Sequence, residues 1–324
     1  MKNDNISVII TVYNKQGIIG ETIKSLISQP VNFKEIFVID DGSSDNSPKI
    51  IKDFAAKYKN IKYVSQNRRG VAEALNTGIK MSSGDFIAVL DGDVILDKDW
   101  ILKLMPYFDN EKIGAVSGLT KLGNPKNFWP ALSGYNVEFR QSIIGQEFVD
   151  HLSTCNTIYR KSALDKVGLF DGRFIYGQDN ELSYRMIEGG YKLVLSKKTF
   201  CLHFWPESFK SFMKQRSHGA LGRMLLIQKH PKRWSGDKVS SFRYFMELPL
   251  GLLFLLFLIA SLISRFFLIF AGLVMIVLYF YQLDEIKVFF KKKKIALGIF
   301  LPFFSLLKSL AWISGIIKYY FSKK

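Results

Sequence analysis

Residues 81–100, MSSGDFIAVLDGDVILDKDW, decide how this chain is read. Phe86–Leu90 is a short apolar run that ends in a turn, the pattern of a buried strand in an α/β sheet. Such sheets bind ligands in the crevice beyond the carboxyl ends of their strands. There the chain places Asp91-Gly92-Asp93, two carboxylates flanking a glycine that allows close approach of backbone and ligand. Mg²⁺ and Mn²⁺ take oxygen ligands and are commonly shared between one or two carboxylates and a substrate diphosphate. A solvated turn would use the same residues, so the neighbouring segments carry the weight.

Working outward, Ser7–Val12 reads as a first strand, followed by a loop at Tyr13–Gly17 and an amphipathic helix to about Gln29. Being only seven residues long, the apolar run Ile6–Val12 fits a strand better than a signal peptide. Glu35–Ile39 is a second strand, Ile61–Val64 a third and Val71–Met81 a helix. Ser47 and Pro48 look like the cap and first turn of a helix to Tyr58. Strands and helices alternating at this spacing predict a mostly parallel sheet flanked by helices. The first strand is followed by Asn14-Lys15-Gln16-Gly17 instead of G-x-G-x-x-G, and G-x-x-x-x-G-K-[ST] occurs nowhere. Phosphates must then be held by a metal and scattered basic groups, which returns the argument to Asp91 and Asp93.

The chain has 324 residues and a net charge of +17. Residues 1–196 hold 24 Lys and Arg against 23 Asp and Glu, whereas residues 197–324 hold 21 against 5. The excess positive charge thus travels with the apolar segments, as expected for contact with anionic lipid headgroups rather than nucleic acid, for which no motif exists. Leu248–Gln282 contains one charged residue, Arg265, in 35 positions. As a single helix it would run about 52 Å against a hydrocarbon core of about 30 Å. Two spans, about 248–264 and 266–283, fit better, with Arg265 at the tip of the hairpin. Lys229, Lys232, Arg233, Lys238 and Arg243 before the hairpin, and Lys287 and Lys291–Lys294 after it, mark one basic side. The positive-inside rule makes that side cytoplasmic. Residues 295–320 are interrupted by Pro302 and Lys308; they fit an interfacial helix with Lys308, Lys318 and Trp312 at headgroup level, or a third span. Cys155 and Cys201 form no metal or redox motif and read as two packed thiols.

Four segments in order, SVIITVYN, VIDDGSSDNS, NTGIKMSSGDFIAVLDGDV and YGQDNELSYR, resemble family 2 glycosyltransferases of the GT-A fold over about residues 1–220. The basic, apolar C-terminal part is similar to the membrane-bound members. The resemblance implies an α/β catalytic domain at 1–205, a basic interfacial helical segment at 206–247 and a membrane module at 248–324. It implies an inverting transferase that moves a sugar from a nucleotide-diphosphate sugar, UDP before GDP, to a lipid-linked or surface-glycan acceptor. The protein would be multi-pass in the cell membrane, with its catalytic domain cytoplasmic, and would use Mg²⁺ or Mn²⁺.

Residue by residue, the resemblance makes Asp179, in Gly177-Gln178-Asp179, the general base that deprotonates the acceptor hydroxyl. The family usually has Glu where Gln178 stands, which removes a charge beside Asp179 or from the acceptor contacts. Thr11, Tyr13, Asp40, Asp41, Arg68, Arg69 and Asp91 would surround the nucleotide, with Asp40 favoured as the base contact and an Asx turn as its alternative. Asp93 and Asp91 would hold the metal, joined by His203. Glu181 and Arg185 match the following helix and suit an i, i+4 pair. Residues 119–150 read as a loop-rich insertion with aromatic side chains, Trp129 among them, that could stack on an acceptor sugar. Gln215-Arg216-Ser217-His218 departs from the Q-x-x-R-W of processive synthases. Two other functions compete: a catalytically silent GT-A membrane scaffold, for which Gln178 speaks, and a nucleotidyltransferase, against which the missing phosphate loop speaks.

Overall fold

A computed structural model describes residues 5–237, 239 and 242–321. Lys238 of the basic segment and the side chain of Arg243 lie outside the described residues. The chain forms two compact units: one runs to Asn124 and resumes over Ile144–Trp205, and the other takes Pro125–Ile143 and the chain from Pro206 onward.

The first unit is α/β. In chain order its elements are β1 (Ile6–Val12), α1 (Ile19–Ile27), β2 (Glu35–Asp40), α2 (Ser47–Lys57), β3 (Ile61–Ser65), α3 (Val71–Met81), β4 (Phe86–Asp91), β5 (Val94–Leu96), α4 (Trp100–Leu104) and β6 (Ile113–Leu122). After α5 (Phe128–Ser142), which belongs to the second unit, come β7 (Phe148–Val149), β8 (Asn156–Arg160), α6 (Lys161–Val167), α7 (Gln178–Glu188) and β9 (Lys192–His203). They form one sheet in the order β3-β2-β1-β4-β8-β6-β9-β5, with β7 on β9. Strands β3, β2, β1 and β4 are parallel. Beyond them β8 runs antiparallel to both β4 and β6, while β6 and β9 are parallel. The architecture is the mostly parallel, helix-flanked GT-A sheet.

Both faces of β1 are covered, which is why it is apolar throughout. Val8 and Ile10 point into a core with Ile19, Ile23 and Leu26 of α1 and Ile51 of α2. Ile9 points the other way onto α3, where a Cβ at Gly78 would lie 2.6 Å from its methyl. In α2, Ser47 is the first helical residue rather than the cap; Asn46 takes the cap position, and the Ser47 hydroxyl accepts instead from the Lys15 N–H at 2.8 Å. The end of the sheet away from the site is tied by Glu35. Its carboxylate accepts from the Ser83 N–H (2.7 Å), the Ser7 hydroxyl (2.8 Å) and the Ser83 hydroxyl (3.0 Å), and pairs with Lys62 (3.2 Å). Burial opposes its ionisation, but these donors outweigh burial and take its pKa from an ordinary 4.5 to about 2. A depressed carboxyl stabilises the fold above its unfolded pKa and loses that contribution as pH falls through the folded value. Glu35→Gln will therefore lower the unfolding free energy at pH 7 by about 2 kcal/mol, read as a lower thermal unfolding midpoint. The gap from wild type will close as pH falls from about 5 to about 2. A gap unchanged at pH 3 would show that the ionised form is not what matters.

The second unit is helical: α5, α8 (Phe209–Lys229), α9 (Phe242–Ala260), α10 (Phe267–Lys291) and α11 (Ile295–Phe321). Two expectations are corrected here. Residues 119–150 are not loop-rich: β6 extends to Leu122 and α5 is a 15-residue helix. Pro130 sits in its first turn, where its missing N–H costs nothing, and Gly134 is buried inside it, so two apparent breakers are tolerated. The basic return after residue 283 is helical, because α10 continues to Lys291 with Glu285 only 3% exposed and accepting from Asn136 of α5 at 2.6 Å. The Lys308 side chain is engaged by the protein rather than offered to headgroups; it pairs with Glu247 of α9 at 2.6 Å. Arg265 does lie exposed in the turn between α9 and α10. Helices α10 and α11 are long and apolar enough to cross a membrane, and the apolar part of α9, Met246–Ala260, is shorter.

Candidate active site

The carboxyl ends of β1, β2 and β4 lie side by side because Thr11 is in register with Asp91 and Val12 with Asp40. Gly92 then turns the chain so tightly that a Cβ there would meet the Thr11 carbonyl oxygen at 2.9 Å. That close approach is what the glycine between the two aspartates is for. Asp93 follows with its backbone carbonyl accepting from the Phe204 N–H at 3.0 Å, and Val94 pairs with His203 of β9. The sheet thereby brings His203, 110 positions away in sequence, onto the aspartates. Its Nε2 stands 3.5 Å from Asp93 and 3.8 Å from Asp91. One ligand atom from each of the three lies within 4.8 Å of the others, the only such grouping among the described residues.

The electrostatics of this cluster fit a cation. Lys15, from the loop after β1, reaches the Asp93 carboxylate. Burial alone would weaken its charge, but Asp93 and Asp91 outweigh burial and raise its pKa. His203 is likewise opposed by burial, yet Asp93 and Asp91 push it up to about 9. Asp93, though buried, is held below the usual range by His203 and Lys15. Two carboxylates are thus balanced by two protonated bases, the same compensation a divalent ion supplies. His203 Nδ1 is buried without a hydrogen-bond partner, leaving Nε2 as the nitrogen that faces the carboxylates. An O, O, N donor set of this kind suits Mg²⁺ or Mn²⁺. Lys15 was passed over in the sequence because its neighbours matched no phosphate loop; no local signal ties it to Asp93, 78 positions on.

Around the same strand ends, the predicted nucleotide residues fall into two groups. Arg68 stacks on the Tyr13 ring, 3.8 Å from its centroid, and donates to its hydroxyl at 2.7 Å. Asp40 and Asp41 are buried and occupied by the fold. Asp40 accepts from the Ser43 N–H (2.9 Å) and the Tyr63 hydroxyl (2.9 Å), which is the Asx-type turn. Asp41 accepts from the Gln66 amide (2.7 Å) and from the N–H groups of Arg69 (2.9 Å) and Gly70 (2.8 Å). It holds the loop that carries Arg68, while the Arg69 side chain turns to Gln66.

Asp179 enters from α7. Gly177, with φ of 83°, starts the helix in the left-handed region, where a side chain would be strained. The helix is fastened by Arg185, which pairs with both Glu181 oxygens at 2.7 Å and donates to the carbonyls of Val167, Gly168 and Leu169. The i, i+4 pair is therefore a buried anchor, with Glu181 fully buried. Asp179 itself accepts only a short-range bond from the Asn180 N–H at 2.9 Å. Burial raises its pKa, His151 pulls it back, and Asp91 raises it further, so the two carboxylates sense one another. A carboxylate with raised pKa is a better proton acceptor. His151 was not picked out from the sequence. Gln178 is buried, and its Oε1 has no partner. Trp129 lies in the second unit, in ring contact with Phe128, Phe209, Phe212 and Phe304 at 4.9–5.9 Å. Cys155 and Cys201 are buried free thiols, as expected, linked through the Asn156 amide.

A GT-A sheet whose strand ends gather two aspartates and a histidine beside a helix-borne carboxylate defines the class: a nucleotide-sugar glycosyltransferase fold. The chain belongs to glycosyl transferase family 2, whose sequence profile matches residues 7–168. It is 32% identical over 229 residues to a poly-beta-1,6-N-acetyl-D-glucosamine synthase of Staphylococcus epidermidis, and 30% identical over 228 residues to that of Staphylococcus aureus. Each match covers 68% of this chain and 54% of the relative, so the shared part spans about half the length of those proteins. Among solved structures, the mannosyltransferase PcManGT from Pyrobaculum calidifontis, in complex with GDP-Man and Mn²⁺, has a TM-score of 0.64. That likeness covers 99% of this chain and 88% of that one at 16% identity. S. aureus TarS residues 1–349 with UDP-GlcNAc has a TM-score of 0.51 at 18% identity, over 68% of this chain and 66% of that one. At such identities these two structures speak to the fold.

Proposed function

We propose that this protein is an inverting glycosyltransferase that moves a sugar from a UDP-sugar to a lipid-linked or surface-glycan acceptor at the cytoplasmic face of a membrane. The observation that carries this is the convergence of Asp91, Asp93 and His203 at the strand ends, with the raised carboxyl of Asp179 in electrostatic reach. Asp91, Asp93 and His203 would hold Mg²⁺ or Mn²⁺, which when bound neutralises charge on the departing diphosphate. Thr11, Tyr13 and Arg68 would border the nucleotide. The Arg68 guanidinium on the Tyr13 face gives a flat, cationic wall at the strand ends. Asp179 would accept the proton of the acceptor hydroxyl as it attacks the anomeric carbon from the face opposite the diphosphate, inverting that centre. Lys15, which pairs with Asp93 here, would face the phosphates if a metal took its place on that carboxylate. The scaffold reading is disfavoured because Asp91, Asp93 and His203 lie together and Asp179 is retained within electrostatic reach of Asp91.

The likeness to poly-beta-1,6-N-acetyl-D-glucosamine synthases favours N-acetylglucosamine as the sugar and the TarS complex favours UDP, whereas the PcManGT complex keeps GDP-mannose among the donors to test. Purified protein given UDP- and GDP-sugars with Mn²⁺ should release UDP from UDP-N-acetylglucosamine faster than nucleotide from any other donor. Chelation should stop the release. Absence of binding and hydrolysis across the whole panel would sink the enzyme reading; preference for a GDP-sugar would correct the nucleotide alone.

A further inference from the structure

By length and composition α11 is apolar enough to be a third membrane span. Its packing is different from that of a span. In the apolar window of α10, 22% of residues are buried against the rest of the protein, whereas in α11 half are. The exposed large apolar residues of α11 are Ile295, Ile299, Phe300, Phe303, Leu310, Ile317, Tyr320 and Phe321. At 3.6 residues per turn they fall within rather less than half of the helix circumference. Leu301, Phe304, Ser305, Ala311, Gly315 and Tyr319 are buried on other sides of the helix. A helix in hydrocarbon exposed along one side alone would need protein on the others.

What fills those other sides is partly apolar, with Leu306 packed on Val274 and Leu278 of α10, and partly polar. The second half of α11 runs along α8: a Cβ at Gly315 would meet the Ser217 carbonyl oxygen at 2.2 Å, Lys318 donates to the Ser217 hydroxyl (3.2 Å) and Tyr319 to Gln228 (2.7 Å). Helix α8 carries Lys210, Lys214, Arg216, His218, Arg223 and Lys229. Were α11 to cross the bilayer, it would draw these residues into hydrocarbon, where each Lys or Arg costs roughly 2.5–3.5 kcal/mol at the centre. The first half of α11 packs on both helices of the α9–α10 hairpin, and its polar contacts lie at the base of that hairpin. Lys308 pairs with Glu247, Ser305 donates to Glu247 at 2.9 Å, and Gln282 donates to Ser305 at 2.5 Å. From Gln282 to Phe266 at the tip is 16 residues, or about 24 Å of helix. Beyond that polar level the hairpin exposes Leu256, Ile259, Leu262, Ile263, Ile269 and Phe280. Lys291, Lys292 and Lys293, all exposed, stand at the turn that joins α10 to α11.

We propose that α11 does not cross the bilayer: it lies in the plane of the membrane surface from which the α9–α10 hairpin enters, its apolar stripe set into the boundary between headgroups and acyl chains. This rests on the membrane reading above and deepens it. The occupant of the stripe is lipid because the stripe continues the apolar surface of the hairpin and is flanked by Lys291–Lys293 at one end and Lys318 at the other, cations that suit anionic headgroups. The Glu247–Lys308 pair with Ser305 and Gln282 fastens the inserted hairpin to the surface helix.

The test uses the full chain in vesicles of phosphatidylethanolamine and phosphatidylglycerol. Nitroxide labels go on single cysteines introduced as Ile299→Cys, Leu310→Cys and Ile317→Cys in α11, and Leu268→Cys, Leu283→Cys and Ile263→Cys in the hairpin. Cys155 and Cys201 are buried, and the parent chain reports their background. Depth is read from power saturation with oxygen and a polar relaxant. The three α11 labels should share one shallow depth, although 299 and 317 are about 27 Å apart along the helix. Labels at 268 and 283 should differ by about 20 Å, and 263 should lie farthest from the entry surface. A depth difference of some 20 Å or more between 299 and 317, passing the midplane, overturns the proposal while leaving the membrane reading intact. Dipolar broadening at 310 that disappears on dilution with unlabelled protein would show a second copy on the stripe and also overturn it. Labels at all six positions in water would mean that the membrane reading itself is wrong.

Discussion

Replacing Asp179 with Asn will leave nucleotide affinity within about twofold of wild type and lower sugar transfer by at least about 10²-fold, the usual contribution of a positioned base. The fold has little stake in this carboxylate. Helix α7 is held by Glu181 and Arg185, whose five bonds reach both the helix and the turn at Val167–Leu169. Asp179 contributes one bond to the next N–H, which an Asn oxygen keeps. What Asn cannot do is take the proton. Because burial already raises the Asp179 pKa, the acid limb of the wild-type pH–rate profile will lie above the ordinary carboxylate range. Gln178→Glu will remain active and move that limb to higher pH, since a second carboxylate beside Asp179 disfavours its ionisation. Transfer to a membrane extract, with nucleotide binding measured alongside, checks both variants. Wild-type transfer by Asp179→Asn would mean that the base is another group.

Asp93→Ala will remove the metal dependence of nucleotide binding. In wild type, UDP should bind at least about 10²-fold more tightly with Mn²⁺ than without it, because even outer-shell partners of a metal contribute 10–100-fold to its affinity. In the variant, calorimetric titrations with and without Mn²⁺ should coincide. The backbone of Asp93, through the bond from Phe204, keeps β5 on β9, so the loss is local to the side chain. Binding of Mn²⁺ should also release protons below pH 9, because His203 must give up its charge to become a ligand. Equal Mn²⁺ enhancement in wild type and Asp93→Ala would remove Asp93 from the metal site.

The first half of the α/β unit was legible because each element announces itself locally. Val71–Met81 and Phe86–Leu90 have the right period and length, and their boundaries agree with α3 and β4 to within a residue. Asp91-Gly92-Asp93 and Gly177-Gln178-Asp179 were legible for the same reason: backbone that must turn tightly or take φ of 83° requires glycine at one fixed position. The helix α5 was not legible, since its mixed face packs among the helices of the second unit, which come from residues far away in sequence.

What the sequence alone determined is the order of strands and helices, the carboxylates at their ends and the apolar character of the C-terminal part. Only the tertiary structure decided which distant groups share a site: that His203 and Lys15 both sit on Asp93, and that Asp41 serves the Arg68 loop. It also decided that Lys308 answers Glu247 and that α11, apolar enough to span, is bound along the basic helix α8. Periodicity reports the face an element buries, but the partner of a charge is chosen by strands and helices far away in sequence, and burial is stabilising for a charged group only when that partner is there.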